Sequence, residues 1–423
     1  MPENSRTPTR ILLSVLALAL LSWAFWQATR TGYARTLAER AKTYASLDDE
    51  MAAADHAVAL SPADAETRQV RGEIIQRSED YQAAAQEFER AVALRPRDYY
   101  LWLLLGVARD QNNDQQGAMQ ALRQSEALAP AYAQAHWQLG NVLLRTGETE
   151  QAFVELRKSA TTDPSLLPNL IDLAWGVFDH DPQAIVSKLR PGTDAERLAL
   201  AKFFAQHNQG PQAAVQFLAV KAASGPRAEE VLSQLMRARD FRNAYRVWAH
   251  EHGLSNEDPG ATIRDGDFEN QIEVGPADFG WQVTPDIANA TMSVDTSEHQ
   301  SGSRSLRLEF HGNSDPSQPL LTQIVLVKPE THYRLSFASQ VREFTSAAAP
   351  IVTVSDAADP RIIFGQSSAL RSQSNGWSVS AFDFATGKAT QAIVIGIARE
   401  HCPANPCPAF GVTWLDSFAL EAR

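Results

Sequence analysis

Cysteine is nearly absent from this chain of 423 residues, which contains only Cys402 and Cys407. Two cysteines cannot supply the set of cross-links that holds a small disulfide-rich domain together, so hydrophobic cores must fold the chain. The hydrophobic fraction of 44% excludes wholesale disorder. At roughly 150 residues per domain, the length predicts two or three domains.

The chain also lacks the short motifs of common catalytic and cofactor sites. The zinc motif H-E-x-x-H, the nucleophile motif G-x-S-x-G, the dinucleotide motif G-x-G-x-x-G and a phosphate-binding loop do not occur. A glycosidase carboxylate pair has no local signature, so a hydrolase stays as the least favoured hypothesis. We expect a protein that is not an enzyme and has no catalytic cofactor.

Positive charge is scarce outside the N-terminal segment. The chain has a net charge of −12, yet residues 1–42 contain six Lys and Arg against two Glu. The remainder contains 32 basic and 48 acidic residues. Nucleic-acid binding requires clustered Lys and Arg, so this acidic body excludes nucleic acid as the main partner.

Long apolar runs are absent except at residues 11–29. This segment follows a tail at residues 1–10, and it has nineteen residues without a charge between Arg10 and Arg30. That length is close to the ~20 residues of a transmembrane helix. Trp23 and Trp26 lie near its end, where interfacial aromatic residues are favoured. The sequence therefore predicts one membrane-spanning helix.

The segment has an alternative interpretation as a cleaved signal peptide. The residues after Trp26 read QATRTGYAR and contain no clear small-x-small cleavage site, which favours an uncleaved signal anchor. Orientation is ambiguous at this point. The basic residues after the segment favour a cytoplasmic body, whereas the short N-terminal tail is typical of a signal anchor.

A period of about 34 residues runs through the region that follows. Small residues at this spacing are expected where two helices approach closely, and a proline is expected to end a helix because it cannot continue one. The recurring residues are Gly72, Gly106 and Gly140; Ala84, Ala118 and Ala152; and Pro62, Pro96, Pro130 and Pro164.

This pattern resembles the tetratricopeptide repeat (TPR) family, whose unit is a helix–turn–helix of about 34 residues. The best copy spans 99–132 and has Trp102 at the first large position of the motif; the other clear copies span 65–98 and 133–166. The resemblance implies an all-α solenoid at 31–252, with degenerate flanking repeats, whose concave surface binds protein partners. Candidate groove residues on the first helices are Arg68, Tyr100, Arg109, Asn113, Gln134 and Asn141.

Residues 253–264 are rich in turn-forming residues and predict a linker. From 265 to 423, short segments alternate apolar and polar residues at period two, which predicts eight to ten strands in a β-sandwich. The alternating sets are Leu306, Leu308 and Phe310; Tyr333, Leu335 and Phe337; Val352 and Val354; Ile393, Ile395 and Ile397; and Trp414, Phe418 and Leu420.

The order of phrases in this region resembles the galactose-binding-like jelly rolls, in particular carbohydrate-binding modules. The phrases are GDFEN at 266–270, GW at 280–281 and 376–377, and FGVTWLDSFALEAR at the C-terminus. The resemblance implies a jelly roll that is either a glycan-binding domain or a spacer. Trp281 and Trp377 are the candidate ligand contacts, although the family packs tryptophans at such positions into the core.

The same resemblance implies a structural calcium ion that joins the two ends of the domain. The matching carboxylates are Glu269 in the opening phrase and Asp416 in the last strand, with Asp267 as a third candidate. Oxygen ligands suit a hard cation. The alternative is that these carboxylates are solvated or hydrogen-bonded.

The two cysteines are close together in the chain, just before the expected last strand. A zinc site would need more ligands than His401 adds, so a disulfide is favoured over two free thiols. Because disulfides persist outside the cytosol, we expect a single-pass protein of the bacterial inner membrane with its body in the periplasm. A cytoplasmic body is the alternative.

Three functional hypotheses follow. In the first, the solenoid is a scaffold that recruits proteins in the cell envelope, and the sandwich contacts a glycan during exopolysaccharide or envelope assembly. In the second, the protein binds glycan and its helices are a spacer. The third is the hydrolase.

Overall fold

The structure is a computed structural model that describes residues 7–221, 226–316, 318–370, 376–402 and 406–423. Over these residues it confirms the predicted class, with fourteen α-helices followed by eleven β-strands in two sheets. Contacts divide the chain into two compact units, Met1–Arg190 and Pro191–Arg423.

The first unit consists of helices in antiparallel pairs, with a short 3₁₀ helix at Pro164–Leu166. The helices are α1 (Thr7–Ala41), α2 (Leu47–Leu60), α3 (Ala65–Arg77), α4 (Tyr81–Leu94), α5 (Tyr99–Gln111), α6 (Gln115–Leu128), α7 (Ala133–Arg145), α8 (Thr149–Thr162), α9 (Leu167–Val177) and α10 (Pro182–Leu189).

Aspartates at the spacing of the repeat begin the helices of two repeats. Asp64 and Asp98 precede α3 and α5, and Asp80 and Asp114 precede α4 and α6. Each carboxylate accepts a hydrogen bond from a backbone N–H of the first turn. Such a cap stabilises a helix by about 1 kcal/mol, so the positions of the aspartates help to set where each helix starts.

The recurring glycines lie where the two helices of a repeat touch. A β-carbon built at Gly72 would lie 2.7 Å from the ring of Phe88, and one at Gly106 would lie 2.6 Å from Leu122. A β-carbon built at Gly140 would likewise lie 2.6 Å from the Leu156 side chain. The large side chain of the second helix therefore fits only because the first helix has no side chain there.

The other recurring residues occupy matching places. Ala84, Ala118 and Ala152 are fully buried on the second helices. The prolines at 62, 96, 130 and 164 each lie just beyond the end of α2, α4, α6 or α8. The period of the repeat thus sets both the helix contacts and the helix ends.

Helix α1 joins the apolar segment to the first repeat without a break. It has 35 residues, and its stretch from Ile11 is long and apolar enough to cross a membrane by length and composition. Its other end packs on α2, where Ala34, Ala38 and Ala41 are buried. The sequence predicts a membrane helix that ends at residue 29, whereas the structure shows that the same helix is also the first helix of the solenoid.

The second unit contains four helices, α11 (Asp194–Gln206), α12 (Gly210–Leu218), α13 (Pro226–Arg237) and α14 (Phe241–Glu251), and then the sheets. The strands are β1 (Glu273–Val274), β2 (Gln282–Val283), β3 (Ala290–Asp295), β4 (Ser305–Asn313), β5 (Leu321–Leu326), β6 (His332–Ser346), β7 (Pro350–Asp356), β8 (Ile363–Gln366), β9 (Ser378–Ala385), β10 (Ala392–Arg399) and β11 (Pro408–Ala422).

The two sheets enclose one core. One sheet has the order β1-β2-β5-β10-β7-β8 and the other β3-β4-β11-β6-β9, and a single buried cluster contains side chains from both. All described pairings are antiparallel except that of β1 with β2. Eleven strands are found where eight to ten are predicted, because β1 and β2 are too short to show a period.

The last predicted alternating set is wrong at one position. Leu415, and not Trp414, shares the core with Phe418. The strand has a bulge after Asp416, where Ser417 has a positive φ of 56°, and an extra residue reverses the alternation. The Trp414 indole N–H instead donates a hydrogen bond of 2.8 Å to the Asp295 carboxylate.

Helix α14 packs on the sandwich. The rings of Tyr245 and Trp248 lie 5.3 and 5.8 Å from that of Phe279, and the Arg264 guanidinium lies 5.3 Å from the Trp248 ring centre. The change from helices to strands falls at the expected linker. The boundary between the two compact units instead lies after Arg190. Residues 194–251, interpreted from sequence as degenerate repeats, therefore belong to the same unit as the sheets.

Replacing Gly106 with alanine should lower the free energy of unfolding of the first unit by about 1–3 kcal/mol, because the new methyl group presses on Leu122. Urea unfolding of the detergent-solubilised chain measures this. Gly176→Ala in α9 is the control, since a β-carbon there meets no atom within 4 Å. This control should be neutral or stabilising by up to ~1 kcal/mol, and equal losses in the two variants would contradict the contact.

Candidate functional site

The first helices of the N-terminal repeats share one surface. Helix α1 contacts α3 directly and α5 contacts α7, although a second helix separates each pair along the chain. An array in which the first helices approach one another curves with those helices on its inside. We call this surface the inner face and define it as Lys42, Glu73, Gln76, Tyr100, Asp110, Gln111, Trp137 and Arg145.

Polar side chains join consecutive first helices across the inner face. The Lys42 ammonium lies 3.0 Å from the Glu73 carboxylate, which links α1 to α3. The Gln76 amide donates a hydrogen bond to Gln111 between α3 and α5, and Arg145 pairs with Asp110 between α7 and α5. These groups are mostly solvent-accessible, so they remain open to exchange partners with a bound polypeptide.

Two partly exposed aromatic side chains lie on the same first helices. Tyr100 is 38% exposed, and Trp137 is partly exposed one repeat further on. Burial raises the pKa of the Tyr100 phenol, and the nearby Glu73 carboxylate raises it further, so the hydroxyl stays protonated and able to donate. Aromatic rings with a polar edge beside mixed charges suit an extended segment that has both apolar and charged side chains.

The structure separates the groove candidates into two groups. Tyr100, Gln134 and Asn141 lie on first helices with accessible side chains. Arg68 and Arg109 do not serve the inner face. Arg68 donates to the Pro62 carbonyl at 2.8 Å and pairs with Glu87 on α4, and Arg109 donates to the Gly117 carbonyl at 3.1 Å.

Arg68 lies one repeat before Trp102 and therefore occupies the first large position of the motif. Asn113 lies in the turn before α6 with a positive φ of 62°. The sequence pattern shows that a position varies, but it does not show which neighbour the side chain contacts.

In the second unit, a cavity of about 1000 Å³ lies on the outer face of the six-stranded sheet. Its walls are the side chains that alternate with the core residues of β5, β7 and β10. Hydroxyl groups and small apolar groups therefore share this surface, which no sequence motif marks. The outward residues are Thr322, Ile351, Thr353, Ser355, Val394 and Gly396.

Arg399 lines the same cavity and is only 3% exposed. Its guanidinium donates to the carbonyls of Ser314, Ala348 and Cys407 at 2.8, 3.1 and 3.0 Å. Burial lowers the pKa of this guanidinium, although it stays charged at neutral pH. The structure contains the predicted disulfide Cys402–Cys407, so Arg399 attaches the disulfide loop to the sheet; residues 403–405 of that loop lie outside the described residues.

The two candidate tryptophans do not line the large cavity. Trp281 is 4% exposed, and its ring packs between Phe268 and Phe418 at 5.2 and 5.3 Å. Its indole N–H donates to the Asp265 carbonyl at 3.0 Å, beside a smaller cavity of about 310 Å³. Trp377 is partly exposed. The ring faces of Trp281 are thus occupied by protein, and a sugar cannot stack on them.

The carboxylates proposed for calcium hold one turn, residues 300–304. Asp416 is fully buried and accepts bonds of 2.7 and 2.9 Å from two backbone N–H groups of the turn. Glu269 accepts from the hydroxyl and the N–H of Ser303 at 2.7 and 2.6 Å, and these bonds lower the pKa of its carboxyl. Asp267 is partly exposed. Hydrogen-bond donors of the protein therefore contact both Asp416 and Glu269, which agrees with the alternative that these carboxylates are hydrogen-bonded. The calcium ion stays a prediction.

No protein-family model matches the chain, and no curated protein matches it. Solved structures resemble its helical part. A crystal structure of MamA is 20% identical, covers 36% of this chain and 91% of that chain, and has a TM-score of 0.34. MamA 41-end from Desulfovibrio magneticus RS-1 is 20% identical over 38% of this chain and 93% of its own, also with a TM-score of 0.34. YrrB, a TPR protein, is 19% identical over 38% and 82%, with a TM-score of 0.32.

Proposed function

We propose that this protein is a membrane-anchored, non-catalytic scaffold that recruits other proteins through the inner face of its helical repeats. The observation that carries this proposal is the inner face itself. Its polar pairs and its two accessible aromatic residues recur along stacked helices, which is the arrangement that recognises an extended polypeptide. Large aromatic residues in such a setting supply most of the binding energy of an interface.

The membrane anchor in this proposal is the N-terminal part of α1. Apart from Ser14 and Ser22, the side chains from Ile11 to Phe25 are exposed and apolar, so they need a nonpolar surrounding that the rest of the unit does not provide. The helix then continues into the packed alanines of the first repeat. An anchor that is continuous with the solenoid places the inner face at a fixed distance from the bilayer.

The body is proposed to lie in the periplasm of a bacterial cell. A disulfide between Cys402 and Cys407 is the supporting observation, since such bonds are rare in the cytosol. In this location the clients would be proteins of envelope or exopolysaccharide assembly.

Glycan binding by the second unit is the second candidate function. The cavity on the six-stranded sheet supports it, because hydroxyl groups such as Thr322, Thr353 and Ser355 are suited to hydrogen bonds with a polar neutral chain. If the helical repeats are only a spacer, this binding is the main function.

Site-specific photo-cross-linking tests the scaffold. A photoreactive amino acid at Tyr100 or Trp137 of the full chain, expressed in membranes, should capture discrete protein partners. The control is the same amino acid at Gln124, an exposed residue of the second helix α6. If none of the three positions cross-links, or if Gln124 captures the same proteins, the inner face is not the docking surface.

A reporter enzyme fused after Arg423 tests the orientation. We expect activity only from a reporter that works outside the cytosol, because the disulfide requires an oxidising compartment. A matched fusion of a reporter that works only in the cytosol should be inactive. The opposite pattern would place the body in the cytoplasm.

A glycan array tests the second candidate with residues 191–423, which form one compact unit. Binding to any class of glycan should be abolished by Ser355→Trp, which fills the cavity. Val379→Trp is the control, since Val379 is 74% exposed on the other sheet. If no glycan binds, or if the control variant loses binding equally, the sheet cavity is not a glycan site.

A further inference from the structure

Three side chains with metal-binding atoms meet where two repeats join. Glu126 lies on α6, His136 on α7 and Glu155 on α8, and one nitrogen or oxygen of each lies within 4.8 Å of the other two. Within the described ranges, no other group of three or more His, Cys, Asp and Glu has this closeness. The sequence hypotheses assign no role to any of the three.

The hydrogen bond of one ring nitrogen determines what the other can do. His136 is 2% exposed, and its Nε2 lies 2.9 Å from the Pro130 carbonyl oxygen. A carbonyl only accepts, so Nε2 carries a proton. In the neutral ring, Nδ1 then presents its lone pair 2.8 Å from a Glu155 oxygen and 3.7 Å from a Glu126 oxygen.

Three electron-rich atoms at this separation repel one another unless a cation lies among them. The Lys158 ammonium lies beside both carboxylates, and the cation beside the ring nitrogen itself is either a proton on Nδ1 or a metal ion. Metal-bound histidines in proteins usually donate their other ring N–H to a carbonyl or carboxylate, as Nε2 does here. Imidazole nitrogens and carboxylate oxygens are both donors that bind zinc.

The equivalent positions of the other repeats show that this arrangement is local. Arg68 occupies the place of His136 two repeats earlier, and its guanidinium donates to the Pro62 carbonyl and pairs with Glu87, the counterpart of Glu155. In the repeat between them, the Trp102 indole donates to the Pro96 carbonyl. The proline carbonyl thus receives an N–H in all three repeats. Arg68 meets its carboxylate with another donor, whereas His136 meets its carboxylates with a ring nitrogen that can offer a lone pair.

We propose that Glu126, His136 and Glu155 bind a divalent transition-metal ion, of which Zn²⁺ is the best fit, and that the ion joins α6, α7 and α8 across the boundary between two repeats. Small side-chain shifts bring the three atoms to the ~2.0–2.2 Å bond lengths of zinc. Water or a side chain of a bound partner completes the tetrahedral site. The ion would stiffen the solenoid beside the inner face.

Lys158 competes for the same carboxylates. Its ammonium lies 3.1 Å from Glu126 and 3.0 Å from Glu155. Both carboxylates cannot keep these contacts in full while they bind a metal ion, so the lysine should weaken metal binding. The side chain is exposed and is free to move away.

Isothermal titration of the metal-free full chain in detergent with ZnCl₂ tests the proposal. We expect one site per chain. His136→Gln should weaken binding by at least about tenfold, since loss of even an outer contact of a metal site costs that much. Lys158→Met should tighten binding roughly threefold to tenfold, the value of two surface ion pairs.

Two further measurements keep the result decisive. Bound Co²⁺ should give the visible absorption of a four-coordinate site in the wild type and not in Glu155→Gln, which is informative even if His136→Gln fails to fold. Urea unfolding with and without Zn²⁺ should show that the ion stabilises the wild type but neither His136→Gln nor Glu155→Gln. If Zn²⁺ binds no more tightly to the wild type than to His136→Gln and Glu155→Gln, the three side chains are not a metal site. Unchanged affinity in Lys158→Met would also contradict the proposal.

Discussion

The close contact between a glycine and a large side chain inside each repeat is the constraint on which the helical unit depends. At Gly106 and Leu122, the two helices approach so closely that one of them cannot have a β-carbon. Because this contact recurs once in each clear repeat, each helix pair has the same geometry and can stack on the next. The inner face exists only as a result of that stacking, since its polar pairs join helices of different repeats.

The same stacking gives the N-terminal helix two roles. Its apolar half has the length of a membrane span, and its other half supplies Ala34, Ala38 and Ala41 to the first repeat. No turn lies between the two halves. In the proposed membrane-anchored arrangement, a hinge would let the solenoid move independently of its anchor, whereas a continuous helix would transmit orientation from the bilayer to the first repeat.

In the second unit, hydrogen bonds from polar side chains, some of them buried, hold particular loops in place. Asp416 and Glu269 hold the turn at 300–304, and Arg399 joins the carbonyl of Cys407 in the disulfide loop to those of Ser314 and Ala348. Such groups are costly to bury without partners, so their bonds fix the loops as firmly as the apolar core fixes the strands. Arg399 and Cys407 both line the sheet cavity, so these bonds form part of its wall.

The sequence alone determined the class of the protein, because the repeats, the apolar run and the strand alternation are local patterns whose periods follow from backbone geometry. It did not reveal the bulge at Ser417, the packing of Trp248 on the sandwich or the meeting of Glu126 with His136 and Glu155. Each of these depends on residues that are distant in the chain or on one extra residue in a strand. Only the tertiary structure brings such groups together, and for that reason it decides which polar side chains are available for binding.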